Sequence, residues 1–174
     1  MTRLDATFYR RDVLEVAPEL LGKKLVRKWP DGQITEYLIT ETEAYRGTED
    51  LACHASKGLT PRTRMMYEPG GVLYMYLVYG MHWMLNIVTA HDMEPQAALI
   101  RATETVSGPG RLTRHLALDK TFNGEDLLTS ARIWVTDNGF RPEYTSHPRI
   151  GIDYAGDPWK NKPWRYTLTL SLSR

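Results

Sequence analysis

The chain has 174 residues, of which 42% are hydrophobic and 25% charged, which is typical of one globular domain over residues 1–174. Its apolar runs are too short for a membrane span, and a net charge of +1 lacks the overall basic character that indicates a nucleic-acid partner. A single cysteine, Cys53, argues against a disulfide framework, and the first residues lack a signal-peptide pattern. We therefore expect an intracellular protein, cytoplasmic if prokaryotic.

A helix and a β-hairpin are predicted near the start of the chain. Residues 12–21 form an amphipathic segment that begins at a capping aspartate, and Pro18 would split or shorten this helix. Residues 24–29 and 34–45 then read as strands. The turn residues at 30–32 join them, so the pair predicts an antiparallel hairpin.

The second of these strands carries two carboxylates on one face. Alternation places Glu41, Glu43 and Tyr45 together, opposite the even-numbered side chains of residues 38–44. Neighbouring like charges repel, so this face needs either full solvation or a site that uses a carboxylate. At neutral pH either glutamate can act as a base or stabilise a cation, and the alternative is a solvated edge strand.

Residues 52–71 predict a loop rather than a long element, because glycines and prolines interrupt them. Lys57, Arg62 and Arg64 occur here, and the guanidinium groups and backbone amides suit phosphate oxygens. A solvated basic loop is the alternative. His54 opens the loop, and a lone histidine is more often a structural hydrogen-bonding residue than a catalyst.

A metal site is not predicted. Cys53, His54, His82 and His91 lack the spacing of metal ligands. We therefore expect no metal and no other cofactor.

A ten-residue run from Tyr74 contains three tyrosines and a tryptophan around one glycine. Alternation turns Tyr74 and Tyr76 toward one face, where they can form an aromatic wall. Met75 and Leu77 lie on the opposite face, which can pack in the core. Tyr79 sits at the turn of the predicted hairpin, where a flat side chain can enter a stack of bases; a hairpin whose aromatic residues only pack is the alternative.

Two later strands each contain one unexpected polar residue. Asn86 interrupts the apolar return strand at residues 82–89, and a buried amide must find partners, one of which can be a base or sugar edge. Arg101 ends the apolar strand at residues 97–101 and needs an anionic partner if it is buried. Glu43 is that partner if the two strands are neighbours; a snorkelling side chain is the alternative.

The remaining elements complete an α+β pattern. The turn at residues 107–111 leads into a helix through residues 112–116, and further strands are predicted at residues 133–135 and 164–172. Strands occur in clusters rather than in βαβ alternation. The fold predicted is a single domain with a mixed, mostly antiparallel curved sheet, flanking helices and a protruding β-hairpin.

Several segments together carry a resemblance to a known family. They are, in chain order, residues 41–45, His54, residues 60–62, residues 71–81, Asn86, and residues 99–102, 107–109, 149–152 and 162–166. In this order they resemble the alkyladenine (3-methyladenine) DNA glycosylase family over nearly the whole chain from about residue 20. His82 stands where the vertebrate members have a tyrosine, and we expect a compact member without terminal extensions.

The resemblance implies a monofunctional DNA glycosylase of base excision repair. Such an enzyme flips damaged purines such as 3-methyladenine, hypoxanthine or ethenoadenine out of duplex DNA and hydrolyses the N-glycosidic bond. The implied partner is damaged double-stranded DNA, no membrane is involved, and we expect a monomer. The implied catalytic residues are Glu43, which activates water, and Arg101; the base pocket is Tyr45, His54, Tyr76, Asn86 and Ile150; the intercalating tip is Tyr79 with Met81 beside it; and the phosphate contacts are Lys57, Arg62 and Arg64.

Two other functions remain open from the residues alone. A carbohydrate-active hydrolase would use Glu41 and Glu43 as acid and base, with tyrosines stacking on sugar. A noncatalytic nucleic-acid binding module would use the same aromatic residues. The basic loop and the tyrosine at the turn favour DNA over a neutral sugar, and Lys57 leaves open a lysine-based lyase activity.

Overall fold

The computed structural model describes residues 1–169, which form an antiparallel sheet with short helices packed against it. The helices are α1 (Ala6–Tyr9), α2 (Val13–Glu19) and α3 (Pro109–His115). The strands are β1 (Thr2–Arg3), β2 (Lys24–Lys28), β3 (Ile34–Arg46), β4 (Leu73–Val78), β5 (His82–Val88), β6 (Gln96–Thr103), β7 (Ile133–Asp137), β8 (Tyr144–His147) and β9 (Arg165–Leu168). The α+β class is confirmed.

The sheet runs in the order β1-β7-β2-β3-β6-β5-β4, and β9 joins β3 to β8. The first part of β3 pairs with β2, and its second part lies between β6 and β9. The long strand β3 therefore joins the β2 side of the sheet to the side that contains β6 and β9. It is the element from which the two glutamates project.

Local sequence signals explain most of these elements. The Asp12 side chain accepts a hydrogen bond from the Leu14 amide at 2.9 Å and caps α2, which ends at Glu19 with Pro18 in its last turn. Pro18 shortens the helix, as expected. The last predicted strand is present as β9, but residues 170–172 of that prediction lie outside the described residues.

The alternation predicted for β3 is wrong in its first half, because a β-bulge shifts the register. Ile39 pairs with Thr103 and Glu41 with Ala102, so Thr40 is an extra residue on β3. Tyr37 and Ile39 are buried in the core as a result, whereas the prediction placed residues 38 and 40 on the same face as Thr42 and Ala44. A bulge of this kind has no local sequence signature and reverses which side chains face the core.

A second irregularity follows at once on the partner strand. Glu41 pairs with Ala102 and Thr42 pairs with Ile100, which leaves Arg101 as an extra residue on β6. Thr42 and Ala44 then face the core beside α2, while Glu43 lies on the opposite face. The bulge directs the Arg101 guanidinium toward the carboxylates of β3.

The β4–β5 hairpin separates two apolar clusters. Leu73 and Met75 pack in the main core with the helices, and Tyr74 packs on the other face against the 52–71 loop. Leu77 is 37% exposed, although alternation placed it in the core. The hairpin projects beyond its pairing with β6, which reaches only Asn86 to Val88; in its outer half Trp83 still packs against the main core, whereas Leu77 is partly exposed.

No helix within residues 1–169 is long and apolar enough to cross a membrane.

Candidate active site

The tip of the β4–β5 hairpin exposes two large apolar side chains. The loop Tyr79-Gly80-Met81 joins β4 to β5, and Tyr79 and Met81 are 91% and 69% exposed. Tyr79 has φ 52°, a left-handed conformation that is unusual for a bulky residue. A strained, almost fully exposed aromatic residue at a turn is typical of a functional position. The structure places both residues at the turn, as predicted.

A cavity of about 560 Å³ opens beside the hairpin, between the 52–71 loop and residues 150–154. Aromatic and polar side chains line it together, which suits a flat heteroaromatic ligand. Eight predicted site residues are in its lining: Tyr45, His54, Arg62, Tyr76, Tyr79, Asn86, Arg101 and Ile150.

Glu43 lies directly behind the wall of this cavity and is completely buried. Its Oε1 accepts hydrogen bonds from the Tyr45 hydroxyl at 2.8 Å and from Arg101 Nη1 at 3.5 Å. Its Oε2 accepts the Ile150 N–H at 2.7 Å. Burial raises the pKa of Glu43, and Arg101, Ile150 and Tyr45 act against that rise. The predicted approach of Arg101 to Glu43 is therefore observed.

Glu41 is held differently from Glu43. Its Oε1 receives Arg101 Nε at 3.1 Å and Arg165 Nη1 at 3.3 Å, and it does not line the cavity. Arg101 thus bridges both carboxylates, which removes the like-charge problem on this face of β3. Neither glutamate is in the cavity lining, and only Glu43 is bonded to the lining residues Tyr45 and Ile150, so the two carboxylates do not flank a ligand there as a carbohydrate hydrolase requires.

His54 is fixed as a neutral hydrogen-bonding group. Its Nδ1 lies 2.9 Å from the Tyr74 hydroxyl, and its ring centroid lies 4.3 Å from that of Tyr76. Burial and the cations Arg62 and Lys57 lower the pKa of His54 to about 4, so the ring is neutral at physiological pH. Tyr74, which alternation placed beside Tyr76, thus holds the His54 ring through its hydroxyl.

Comparison with known proteins agrees with this geometry. The model of the family described as Methylpurine-DNA glycosylase (MPG) matches residues 7–108 and 103–171. The chain belongs to the methylpurine-DNA glycosylase family. The resemblance seen in the sequence is confirmed, and with it the enzyme class, a hydrolase of N-glycosyl bonds in DNA.

Relatives of similar length come from several organisms. A protein of Methanocella arvoryzae is 42% identical, covering 95% of this chain and 92% of its own length. A protein of Psychrobacter cryohalolentis is 40% identical, covering 94% and 90%, and one of Myxococcus xanthus is 45% identical, covering 95% and 89%. Each is named "Putative 3-methyladenine DNA glycosylase".

Asn86 occupies the floor of the cavity of this glycosylase. It is 3% exposed and pairs with Tyr74 across the hairpin. Its Nδ2 donates to the carbonyl oxygens of Tyr74 at 3.2 Å and Met84 at 3.5 Å. These bonds explain how an amide is accommodated in an apolar strand and hold the side chain in one orientation.

The basic residues of the 52–71 loop differ in position. Lys57, Arg62 and Arg64 are all exposed, as a phosphate-binding role requires. Arg62 also lines the cavity, and its guanidinium carbon lies 5.8 Å from the centroid of the Tyr76 ring. Arg62 therefore lies at the cavity, whereas Lys57 and Arg64 do not line it.

Sequence reasoning missed two contributions to the site. Tyr154 lines the cavity, is 72% exposed, and donates from its hydroxyl to the Ala52 carbonyl at 3.2 Å. Asp50 and Arg149 form a buried ion pair immediately behind Tyr45. Arg149 precedes Ile150 in a matched segment, but its partner lies 99 positions away, and no local pattern pairs them.

His82, which stands at the position of a tyrosine in vertebrate members, lies against Gly110 of α3, where an added Cβ would be 3.1 Å from the histidine ring.

The pH dependence of excision should report on Glu43. If Glu43 is the base for excision, activity should fall as acid protonates its carboxylate, and because burial raises the pKa of Glu43 this fall should lie at a higher pH than for an exposed glutamate. Arg101 is the nearest cation and lowers the pKa of Glu43, so Arg101→Gln should move the fall to still higher pH. Single-turnover excision rates measured from acid to neutral pH test this; an unmoved profile in the variant contradicts it.

Proposed function

We propose that the protein is a monofunctional DNA glycosylase of base excision repair that removes damaged purines, 3-methyladenine among them, from double-stranded DNA. The observation that carries this proposal is the position of Glu43, buried behind a cavity with tyrosine walls and held by Arg101, Tyr45 and Ile150. A carboxylate fixed beside an aromatic pocket suits attack on a sugar whose base has been turned out of the duplex.

Extrusion of the base comes first and costs a few kcal/mol, least where the base is damaged and poorly paired. Tyr79 would enter the gap that the base leaves, with Met81 beside it. Stacking contributes about 1–3 kcal/mol per base, so Tyr45 and Tyr76 can offset the cost of extrusion. Stacking tolerates different rings, so we expect a broad range of purine lesions, including hypoxanthine and ethenoadenine.

Hydrolysis then follows at C1′ of the sugar. Glu43 would take a proton from a water molecule, the water oxygen bonds to C1′, and the electron pair of the C1′–N bond leaves with the base. The transition state has cationic sugar character, which the carboxylate stabilises. Arg101 and the Ile150 N–H keep the carboxylate in place, and the product is an abasic site.

The remaining site residues recognise the base and the DNA backbone. Neutral His54, held by Tyr74, offers a hydrogen bond to the flipped base, and Asn86 closes the pocket floor. A base that carries positive charge also gains a cation–π attraction to the tyrosine rings. Lys57, Arg62 and Arg64 would contact phosphates beside the lesion, so binding should weaken as salt rises.

Single-turnover excision tests the proposal. Duplexes that carry 3-methyladenine, hypoxanthine or ethenoadenine should lose the base and gain an alkali-labile abasic site, and an undamaged duplex of the same sequence should not. Borohydride should trap no covalent complex, because water and not an amine attacks the sugar. Absence of excision on all lesions would overturn the proposed activity, and a trapped complex lost in Lys57→Ala would replace the monofunctional mechanism with a lyase.

A further inference from the structure

The ion pair between Asp50 and Arg149 is the most deeply buried charged contact of the site. Both side chains have no exposed surface. Arg149 Nη1 donates to Asp50 Oδ2 at 2.6 Å and Nη2 donates to Oδ1 at 2.9 Å, which is the two-pronged geometry of a strong guanidinium–carboxylate pair. The pair lies behind the cavity rather than in its lining.

The pair joins three segments that carry site residues. Asp50 accepts the amide hydrogens of Arg46 at 3.0 Å and Ala52 at 3.1 Å, which fixes the end of β3 and the chain leading to His54. Arg149 Nη1 also donates to the Ala44 carbonyl at 2.9 Å. Ala44 lies between the two site residues of β3, so Arg149 locks the strand at the level of Glu43.

Arg149 also contacts the Tyr45 ring and directly precedes Ile150 in the chain. Its guanidinium carbon lies 4.9 Å from the Tyr45 ring centroid and 5.0 Å from that of Trp164. Ile150, the next residue, donates its N–H to Glu43 Oε2 at 2.7 Å. One buried cation therefore supports a pocket wall and sets the backbone donor that holds the carboxylate.

Stability alone explains this pair poorly. Burying two charges costs about as much as their attraction returns, and apolar side chains of similar size often serve folding equally well. Arg149 Nε is also buried, and within residues 1–169 it has no hydrogen-bond acceptor, which adds a further cost. The contacts that the pair does make converge on the surroundings of Glu43 and Tyr45.

We propose that Asp50 and Arg149 are positioning residues that hold the Ile150 N–H against Glu43 and the Tyr45 ring in the wall of the base pocket. The expected loss of excision rests on the proposed function, whereas the expected displacement of the Ile150 amide does not. Three elements bring charged or hydrogen-bonding groups to Glu43. Its own strand supplies Tyr45 and Glu41, β6 supplies Arg101, and the segment after β8 supplies Arg149 and the Ile150 amide. Arg165 on β9 pairs with Glu41 rather than with Glu43.

The test replaces both charges together, because removing one would leave the other buried and unpaired. In Asp50→Asn/Arg149→Met the fold should persist. The first readout is the Ile150 amide resonance of ¹⁵N-labelled protein as pH is varied. In the natural protein this resonance should titrate with Glu43, and in the double variant it should titrate at higher pH or lose its dependence on Glu43. Single-turnover excision at neutral pH should fall about 10- to 100-fold, as expected for a displaced catalytic group.

The control is a second ion pair, away from the site, whose lysine is buried. The side chains of Lys23 and Asp137 are 2% and 26% exposed and lie 3.4 Å apart, so Lys23→Met/Asp137→Asn also replaces a buried cation and its partner together. This control should leave the Ile150 titration and excision unchanged. An Ile150 titration in Asp50→Asn/Arg149→Met identical to that of the natural protein would overturn the positioning role. Failure of the natural protein to excise any lesion would overturn the proposed function alone, because the amide readout needs no DNA.

Discussion

Glu43→Gln should reduce single-turnover excision of hypoxanthine or ethenoadenine by about 10²- to 10⁴-fold, the range that a positioned general base contributes. Glutamine has nearly the same shape but accepts no proton from water at neutral pH, and it does not carry the negative charge that stabilises a cationic sugar. Because Glu43 is buried behind the cavity wall, the substitution leaves the lining unchanged. Binding of the lesion duplex should therefore be retained.

Two glutamates on the same strand provide the comparison. Glu36 is exposed on β3, so Glu36→Gln should excise at the natural rate. Glu41→Gln should weaken the hold on Arg101 and reduce excision much less than Glu43→Gln, because Glu41 is bonded to Arg101 and Arg165 and not to Tyr45 and Ile150 in the cavity lining. Equal losses at Glu41 and Glu43 would indicate a mechanism with two carboxylates, and full activity of Glu43→Gln would remove Glu43 from catalysis.

The elements that depend on neighbouring residues were predictable. The turn residues at 30–32, the glycine after Tyr79 and the capping aspartate of α2 act within a few positions, and the structure contains the hairpins and the helix that they predict. The short strands β1 and β8 and the helix α1 were missed. Two to four residues are too few to show a period, and pairing with distant strands stabilises β1 and β8.

The site was only partly predictable, because its chemistry depends on long-range contacts. Alternation correctly placed Glu43 and Tyr45 on one face, but the bulge that brings Arg101 to both glutamates appears only when β3 and β6 pair. The residue pattern singled out Arg101, the resemblance supplied Ile150 as a site residue, and neither pointed to Asp50. Residues that only position other side chains have no local sequence signature, since the sequence around a buried loop aspartate such as Asp50 does not differ from that around an exposed one.

Tyr79→Ala should impair the enzyme at the extrusion step. An aromatic side chain in a gap of the duplex contributes about 1–3 kcal/mol, so the ratio of the flipped to the stacked fraction should fall about 5- to 150-fold. Residue 79 has a left-handed backbone conformation, which is unfavourable for alanine as it is for tyrosine. The substitution therefore removes the ring without relieving the backbone. Ethenoadenine fluorescence reports the transfer of the base from the DNA stack to the pocket and measures this fraction directly.

The ring, rather than the hydroxyl, should carry the effect. Tyr79 is 91% exposed, and no hydrogen bond within the described chain engages its hydroxyl, so Tyr79→Phe should flip and excise like the natural protein. Tyr144→Ala removes a tyrosine of β8 that is 48% exposed and distant in sequence from the hairpin, and it should leave flipping unchanged. Because Glu43 and its donors are untouched, Tyr79→Ala should retain excision from single-stranded DNA, where no gap needs filling. A loss of equal size on single- and double-stranded substrates would mean that Tyr79 acts on the base in the pocket and not on the duplex.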